Sequence, residues 1–151
     1  MIVSDATTLI ILFDMDRVGL LSNLFEKIYI PESVFDEINF KSIIELPDFM
    51  SVVKVQDCEL LNDLKNILDI GESEAITLAK KMDLPLIIDE KKGRKIAQNL
   101  ELKIIGLIGI IYLNIKKEFM SKNEAIVFFE KAIKNGYRVN QKLIDTMMEN
   151  L

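Results

Sequence analysis

At 151 residues the chain has the length of one domain, and its hydrophobic share of one half excludes a disordered chain. It contains no histidine, which excludes Ser-His-Asp triads, Cys-His dyads, histidine-ligated zinc and histidine general bases. The net charge is −5, but residues 1–90 carry 7 basic and 18 acidic side chains, whereas residues 91–151 carry 12 and 6. Two interpretations stay open: chance asymmetry on solvated faces, or an acidic pocket that needs cations beside a basic surface that meets phosphates.

The single cysteine, Cys58, cannot form an internal disulfide. Together with the lack of a signal peptide pattern, this predicts a cytoplasmic location. The longest apolar run, Ile104–Ile115, is shorter than the roughly 20 residues that cross a bilayer. We therefore expect no membrane association, and interpret the run as a buried strand that leads into a buried helix.

Hydrophobic spacing and turn residues predict short strands that alternate with helices along the chain. The first half is expected to form a strand at Ile2-Val3, helices at Thr8–Phe13 and Val18–Ile28, a strand at Tyr29-Ile30, a helix opened by Pro31 and a strand at Ser51–Val55. The second half is expected to form a helix over Leu60–Leu68 that Gly71 ends, a helix to Met82, strands at Leu84–Ile88 and Lys103–Ile105 around a basic helix Lys91–Leu100, and three helices broken near Ser121 and Gly136. This alternation favours one α/β domain over 1–151 with a mostly parallel sheet of about five strands.

Acidic residues fall where such a sheet binds ligands, at the carboxyl ends of its strands. Asp5 follows the first strand and Asp89 follows the fourth. Glu37 lies on the helix after the second strand, and Glu72 and Glu74 lie at the start of a later helix. Several carboxylates brought together repel one another unless a cation joins them, and hard divalent cations prefer oxygen ligands.

Each of these acids also has an ordinary explanation. Asp5 and Asp89 could cap the helices that follow them. Glu72 and Glu74 could stabilise a helix N-terminus through the backbone dipole, and they point to different faces, so that only one is expected to reach a site. Glu37 could be a solvated helix residue.

Five segments, in order, resemble the motifs of the PIN domain family, and together they cover nearly the whole chain. They are the opening strand and aspartate (Ile2–Ile10), the second-acid segment (Ile30–Ile38), the third-acid helix (Gly71–Ala79), the fourth-acid segment (Leu86–Ala97) and the final strand with its glycine turn (Leu102–Gly109). No single motif is specific, but the ordered set is.

The resemblance implies a three-layer α/β/α sandwich and a ribonuclease that uses Mg²⁺ or Mn²⁺ to hydrolyse RNA. It places the catalytic and metal-binding acids at Asp5, Glu37, Glu72 and Asp89. Many relatives are VapC-type toxins that a small antitoxin protein holds in check, and the resemblance also implies a homodimer.

The chain departs from the family pattern at the third acid, which is usually aspartate but is Glu72 here, with Glu74 as the alternative. Glu90 is the alternative to Asp89 at the fourth acid. Thr8 stands where the subgroup often has proline, and Thr7 is a candidate to orient a water or ligand.

Four cations of the basic helix are candidates to steer RNA phosphates. They are Lys91, Lys92, Arg94 and Lys95. The ordinary interpretation is an exposed, solvated helix face.

Two rival functions remain. One is a catalytically weak PIN-fold binding module that acts through protein partners. The other is a haloacid-dehalogenase-type phosphatase, because Ile11–Asp16 resembles a strand that ends in a DxD pair with Asp14 as nucleophile and Asp16 as general acid. The C-terminal aromatic residues Phe119, Phe128 and Phe129 are expected in the core, with a dimer surface as the alternative.

Overall fold

The computed structural model describes residues 1–151 and contains five strands and nine helices. The strands are β1 (Ile2–Ser4), β2 (Ile28–Pro31), β3 (Met50–Val53), β4 (Leu86–Ile87) and β5 (Ile104–Ile105). The helices are α1 (Ala6–Asp14), α2 (Gly19–Ser22), α3 (Glu32–Lys41), α4 (Glu59–Lys65), α5 (Ile70–Met82), α6 (Lys91–Asn99), α7 (Leu107–Lys116), α8 (Lys122–Lys134) and α9 (Gln141–Glu149).

All five strands are parallel and lie in the order β3-β2-β1-β4-β5. The chain moves outward from β1 to β2 and β3, then returns to the other side of β1 to form β4 and β5. The strand order therefore reverses between β1 and β4. In open parallel sheets the crevice at such a reversal, beyond the carboxyl ends of the strands, is where ligands bind.

Helices cover both faces of the sheet. Successive strand residues point to opposite faces, and Ile2 accordingly belongs to a core of 24 buried residues while Val3 belongs to a separate core of 11. The larger core includes side chains of α1, α3, α7 and α8, and the smaller core includes those of α4, α5 and α6. The expected three-layer α/β/α architecture is confirmed.

The second expected helix, Val18–Ile28, is wrong over most of its length. Only α2 is helical there, and Ile28 opens β2, where it pairs with Ile2 and Met50. Leu20, Leu21 and Ile28 are nevertheless all buried. The three- and four-residue spacing reflects burial against the core, which a turn followed by a strand meets as well as a helix does.

Gly71 does not end the helix before it, as the sequence suggested, but lies within the first turn of α5. That helix starts earlier because Asp69 caps it, with Oδ1 accepting a hydrogen bond from the Glu72 backbone N–H at 2.8 Å. Aspartate is among the best N-cap residues. The corrected boundary determines where the Glu72 carboxylate lies.

The C-terminal aromatic residues divide between core and surface. Phe128 and Phe129 are buried and pack edge to face, with ring centroids 5.5 Å apart. Phe119 follows α7 and is 52 % exposed, so the expectation of a core position is wrong for this residue. None of the helices combines the length and apolar character needed to cross a membrane.

Candidate functional site

Asp5 lies at the reversal of strand order, directly after β1. It is only 5 % exposed, and its backbone N–H donates to the Ile87 carbonyl of β4 at 2.9 Å. Asp5 occupies the N-cap position of α1, but its side chain makes no capping hydrogen bond. The capping explanation for this aspartate therefore does not account for the buried carboxylate.

Asp89 follows the neighbouring strand β4, and both of its oxygens are held. The Thr8 hydroxyl donates to Oδ2, and the Leu107 N–H donates to the carboxylate at 3.0 Å from Oδ1 and 3.3 Å from Oδ2. Asp89 thus binds the N-terminus of α7, whereas the N-cap position of α6 belongs to Glu90. A Cβ at Gly106 would lie 2.5 Å from Asp89 Oδ1, so the glycine leaves the space that this carboxylate occupies.

Glu72 lies in the first turn of α5 and is only 7 % exposed. Its Oε2 atom is buried and has no hydrogen-bond partner. The fit around this oxygen is close, because a Cβ added at Gly93 of α6 would lie 2.7 Å from it. A buried carboxylate oxygen without a partner is costly unless a proton or a cation satisfies it.

Glu37 lies on α3 at the solvent side of the group, and its side chain is exposed. Partial burial of its carboxyl raises the pKa, the charge of Asp69 raises it further, and Lys41 opposes both. Glu37 therefore lies at the solvent-exposed edge of the site and interacts electrostatically with Asp69.

The buried acids influence one another's protonation. Burial above all raises the pKa of Asp5 to about 7, and the charges of Asp69, Glu37 and Asp89 add to the effect against a hydrogen bond from the Ala6 backbone. The other three carboxylates are thus close enough to act on Asp5, although the four come from separate segments of the chain.

Glu72 belongs to the same group. Burial above all raises the pKa of Glu72 to about 8, and the neighbouring Asp69 side chain and the charges of Asp5 and Glu90 contribute. Both carboxyls are therefore partly protonated near neutral pH when no cation is present.

Sequence reasoning missed Asp69, which acts on Asp5, Glu37 and Glu72 alike. The signal was available, since an aspartate three residues before a helix glutamate is a capping pattern. A glycine that fits a helix end hides this pattern, because it places the start of the next helix after Asp69 instead of at it.

Three secondary candidates are placed differently from one another. Glu74 accepts hydrogen bonds from the Ser33 hydroxyl and, at 3.3 Å, from the Ser33 N–H, both at the start of α3. Thr7 is exposed, and its neighbour Thr8 is the hydroxyl that contacts an acid of the site. Glu90 is exposed, and its charge acts on Glu72.

The four basic candidates of α6 do not share one face. Lys91, Lys92 and Lys95 are exposed, whereas Arg94 is half-buried and its Nη1 donates to the Ile88 carbonyl at 2.8 Å. Arg94 therefore supports the end of β4 directly before Asp89, which differs from the surface role expected for it.

The donor set suits a hard divalent cation, because it consists of carboxylate oxygens and includes the unpartnered Glu72 Oε2. No group of three or more acidic side chains is arranged to hold a metal ion directly. The assignment of Asp5 and Asp89 as primary metal ligands, with Glu72 and Glu37 completing the first or a water-mediated shell, stays a prediction. Magnesium typically binds one or two carboxylates and keeps several waters. The side chains of this site can provide those carboxylates.

The DxD segment lies elsewhere. Ile11–Phe13 belongs to α1 and not to a strand, and Asp14 is at the C-terminal end of that helix, where it accepts a hydrogen bond from the Tyr137 hydroxyl at 2.7 Å. Asp16 lies in the following turn with φ 54°. The phosphatase alternative is wrong in its structural premise, because no strand places these two aspartates at a sheet edge.

A family model described as a PIN domain matches residues 1–151. A search of curated proteins gave no match.

Proposed function

The chain belongs to the PIN domain family, and on that premise we propose that it is a cytoplasmic Mg²⁺- or Mn²⁺-dependent endoribonuclease that hydrolyses RNA phosphodiester bonds. PIN domains are usually nucleases and generally use divalent metal ions. The observation that carries the proposal for this chain is the buried, unpartnered Oε2 of Glu72 beside Asp5, at the reversal of strand order. A folded protein keeps such an arrangement at a cost in stability, and a cation removes that cost.

In this proposal Asp5, Asp89 and Glu72 hold the ion, and Glu37 completes the site from its rim. A bound Mg²⁺ or Mn²⁺ supplies water activation and neutralises phosphate charge. The protein's contribution is orientation. Thr8 and the α7 N-terminus fix the Asp89 carboxylate, and the Asp69 cap fixes the turn that carries Glu72.

The RNA backbone would be attracted by the exposed lysines of α6, which begins two residues after Asp89. Lys91, Lys92 and Lys95 are the candidates, and the excess of basic residues over 91–151 adds to the positive field. Phosphates that approach this helix arrive beside the acidic group.

We extend the proposal to biological context. Many PIN-domain proteins are VapC-type toxins, which supports a single-domain homodimeric toxin held in check by a small antitoxin protein. Co-purification of the product of a neighbouring small reading frame would test this. If the chain co-purified with no small protein, the antitoxin proposal would be contradicted. If size-exclusion chromatography showed a monomer, the dimer proposal would be contradicted.

A second candidate function is a catalytically weak PIN-fold binding module that acts through protein partners. The observation that favours it is the lack of three acidic side chains arranged to hold an ion directly. The two candidates differ in one measurable property, which is RNA cleavage that depends on the acids.

The test compares cleavage of RNA in Mn²⁺ by the natural protein and by Asp5→Asn. We expect the substitution to lower the rate by more than about 100-fold, beyond what the loss of a mere supporting residue costs. The matched control is Asp83→Asn, an exposed aspartate at the far end of α5, which should leave the rate unchanged. Equal cleavage by Asp5→Asn would refute the nuclease site, and no cleavage by the natural protein would favour the binding module.

A further inference from the structure

Asp69 holds a position between the start of α5 and the acidic group. Its Oδ1 accepts a hydrogen bond from the Glu72 N–H at 2.8 Å. A Cβ built on Gly71 would lie 3.6 Å from Asp69 Oδ1 and 3.6 Å from Asp5 Oδ1. Asp69 Oδ1 and Asp5 Oδ1 thus both lie 3.6 Å from the same point above Gly71. The two oxygens can therefore be no farther apart than twice 3.6 Å.

Helix capping explains one oxygen of Asp69 but not its charge. A neutral serine or asparagine caps a helix about as well as aspartate does. Aspartate instead adds a negative charge to a group that already includes Asp5, Glu37 and Glu72, and carboxylates gathered in this way repel one another. The charge at position 69 gains from the helix dipole at this end of α5 and carries the cost of repulsion from the other acids while no cation is bound.

An independent observation indicates what offsets that cost. Glu72 is more than nine-tenths buried, its Oε2 has no hydrogen-bond partner, and the carboxylates of Asp69 and Asp5 are near enough for their charges to act on its carboxyl. This oxygen and the Asp69 carboxylate belong to the same first turn of α5, so that one cation beside that turn would serve both. The chemistry shared by these groups is that of a hard divalent cation with bound waters.

We propose that Asp69 is a fifth carboxylate of the cation site, a positioning residue whose Oδ1 holds the helix turn of Glu72 while its charge strengthens cation binding. This inference rests on the proposed metal-dependent function. It assigns the site an acid that none of the five PIN-like segments contains.

The deciding experiment measures Mn²⁺ binding to the full chain by calorimetry. Asp69→Asn keeps a good N-cap and removes the charge, and we expect it to weaken Mn²⁺ binding roughly 10- to 100-fold, the range for residues that support metal ligands. Asp69→Ser is a second variant that keeps a cap without the charge, and it should weaken binding to a similar extent. Asp83→Asn makes the same charge change at the other end of α5, where asparagine tolerates the left-handed backbone (φ 54°), and should bind Mn²⁺ like the natural protein.

The outcomes separate the two proposals. If Asp5→Asn abolishes Mn²⁺ binding while Asp69→Asn and Asp69→Ser bind normally, Asp69 is only a helix cap and this inference is overturned alone. If the natural protein binds no Mn²⁺, or Asp5→Asn binds it equally well, the proposed function and this inference fall together. Weaker binding by both Asp69 variants, with melting temperatures of the metal-free proteins at or above that of the natural chain, supports the inference.

Discussion

Asn114 and Glu72 are both polar and almost completely buried, at 0 % and 7 % exposure, but their surroundings differ. The Asn114 amide donates to the carbonyls of Leu20 at 3.0 Å and Ile110 at 2.9 Å, and its oxygen accepts from Asn23 at 3.0 Å. Glu72 keeps a buried oxygen with no partner. The asparagine links α7 to the α2 region and stabilises the fold, whereas the glutamate has a buried oxygen whose partner must come from outside the chain.

The difference gives a physical criterion for a ligand site. A buried polar group that stabilises a protein has its hydrogen bonds made within the chain. A buried charge without partners lowers stability, and selection retains it where a ligand restores the balance. Substitutions at the two positions should therefore change stability in opposite directions.

The largest effect is expected for Asn114→Ala. The substitution leaves the Leu20 carbonyl without a donor in the core and opens a cavity, so the free energy of unfolding should fall by about 3 kcal/mol. Urea unfolding followed by circular dichroism measures the change. The control is Asn62→Ala on the exposed side of α4, and a loss at Asn114 no larger than at Asn62 would contradict the structural role.

Glu72→Gln should instead raise the free energy of unfolding of the metal-free protein, by about 2 kcal/mol at pH 8, because it removes an unpaired buried charge. The sign follows from the raised pKa values of about 8 for Glu72 and about 7 for Asp5, which give the folded state more bound protons than the unfolded state. These groups favour the natural fold at about pH 4, and that contribution is lost as the pH rises through 7 and 8. Melting temperatures in a chelator should therefore fall between pH 5 and pH 8 for the natural protein, and fall less for Glu72→Gln.

The contrast between Asn114 and Glu72 can also be tested by adding metal. Saturating Mn²⁺ should raise the melting temperature of the natural protein more at pH 8 than at pH 5, and a chelator should reverse the gain. A pH-independent melting temperature without metal, or an Mn²⁺ shift of equal size in Glu72→Gln, would contradict the assignment of the unpartnered oxygen.

The smallest expected effect comes from Gly93→Ala. The added methyl would lie 2.7 Å from Glu72 Oε2 and 2.8 Å from Ile88 Cδ1, and both must move. We expect a loss of about 1 kcal/mol in stability, as in mild overpacking, and weaker Mn²⁺ binding. Gly19→Ala is the matched control, because nothing lies within 4 Å of its new methyl, so it should lose no stability and bind Mn²⁺ like the natural protein. Equal Mn²⁺ binding by Gly93→Ala and the natural protein would indicate that the Glu72 carboxylate is not used.

Sequence patterns predicted the family and the three-layer architecture, both of which are confirmed. They erred where one local pattern suits two structures. The apolar spacing that leads to Ile28 fits a helix or a turn followed by a strand, and Gly71 fits a helix end or a first turn. The four-acid site stays a prediction. The structure adds that the charges of Glu37 and Asp89 act on Asp5, and that of Asp5 on Glu72.

Local chemistry is what the chain alone determined. Parallel strands place their carboxyl ends at one edge, so Asp5 and Asp89 could be assigned to that edge from their positions after apolar runs, and the lack of histidine limited the chemistry to other groups. Only the tertiary structure decided which neighbours each acid meets. Thr8 reaches Asp89 across 81 residues of sequence, Glu74 turns to Ser33, and Glu72 is buried against Gly93 of another helix. Such contacts depend on how whole helices pack on the sheet, and no short stretch of sequence specifies that packing.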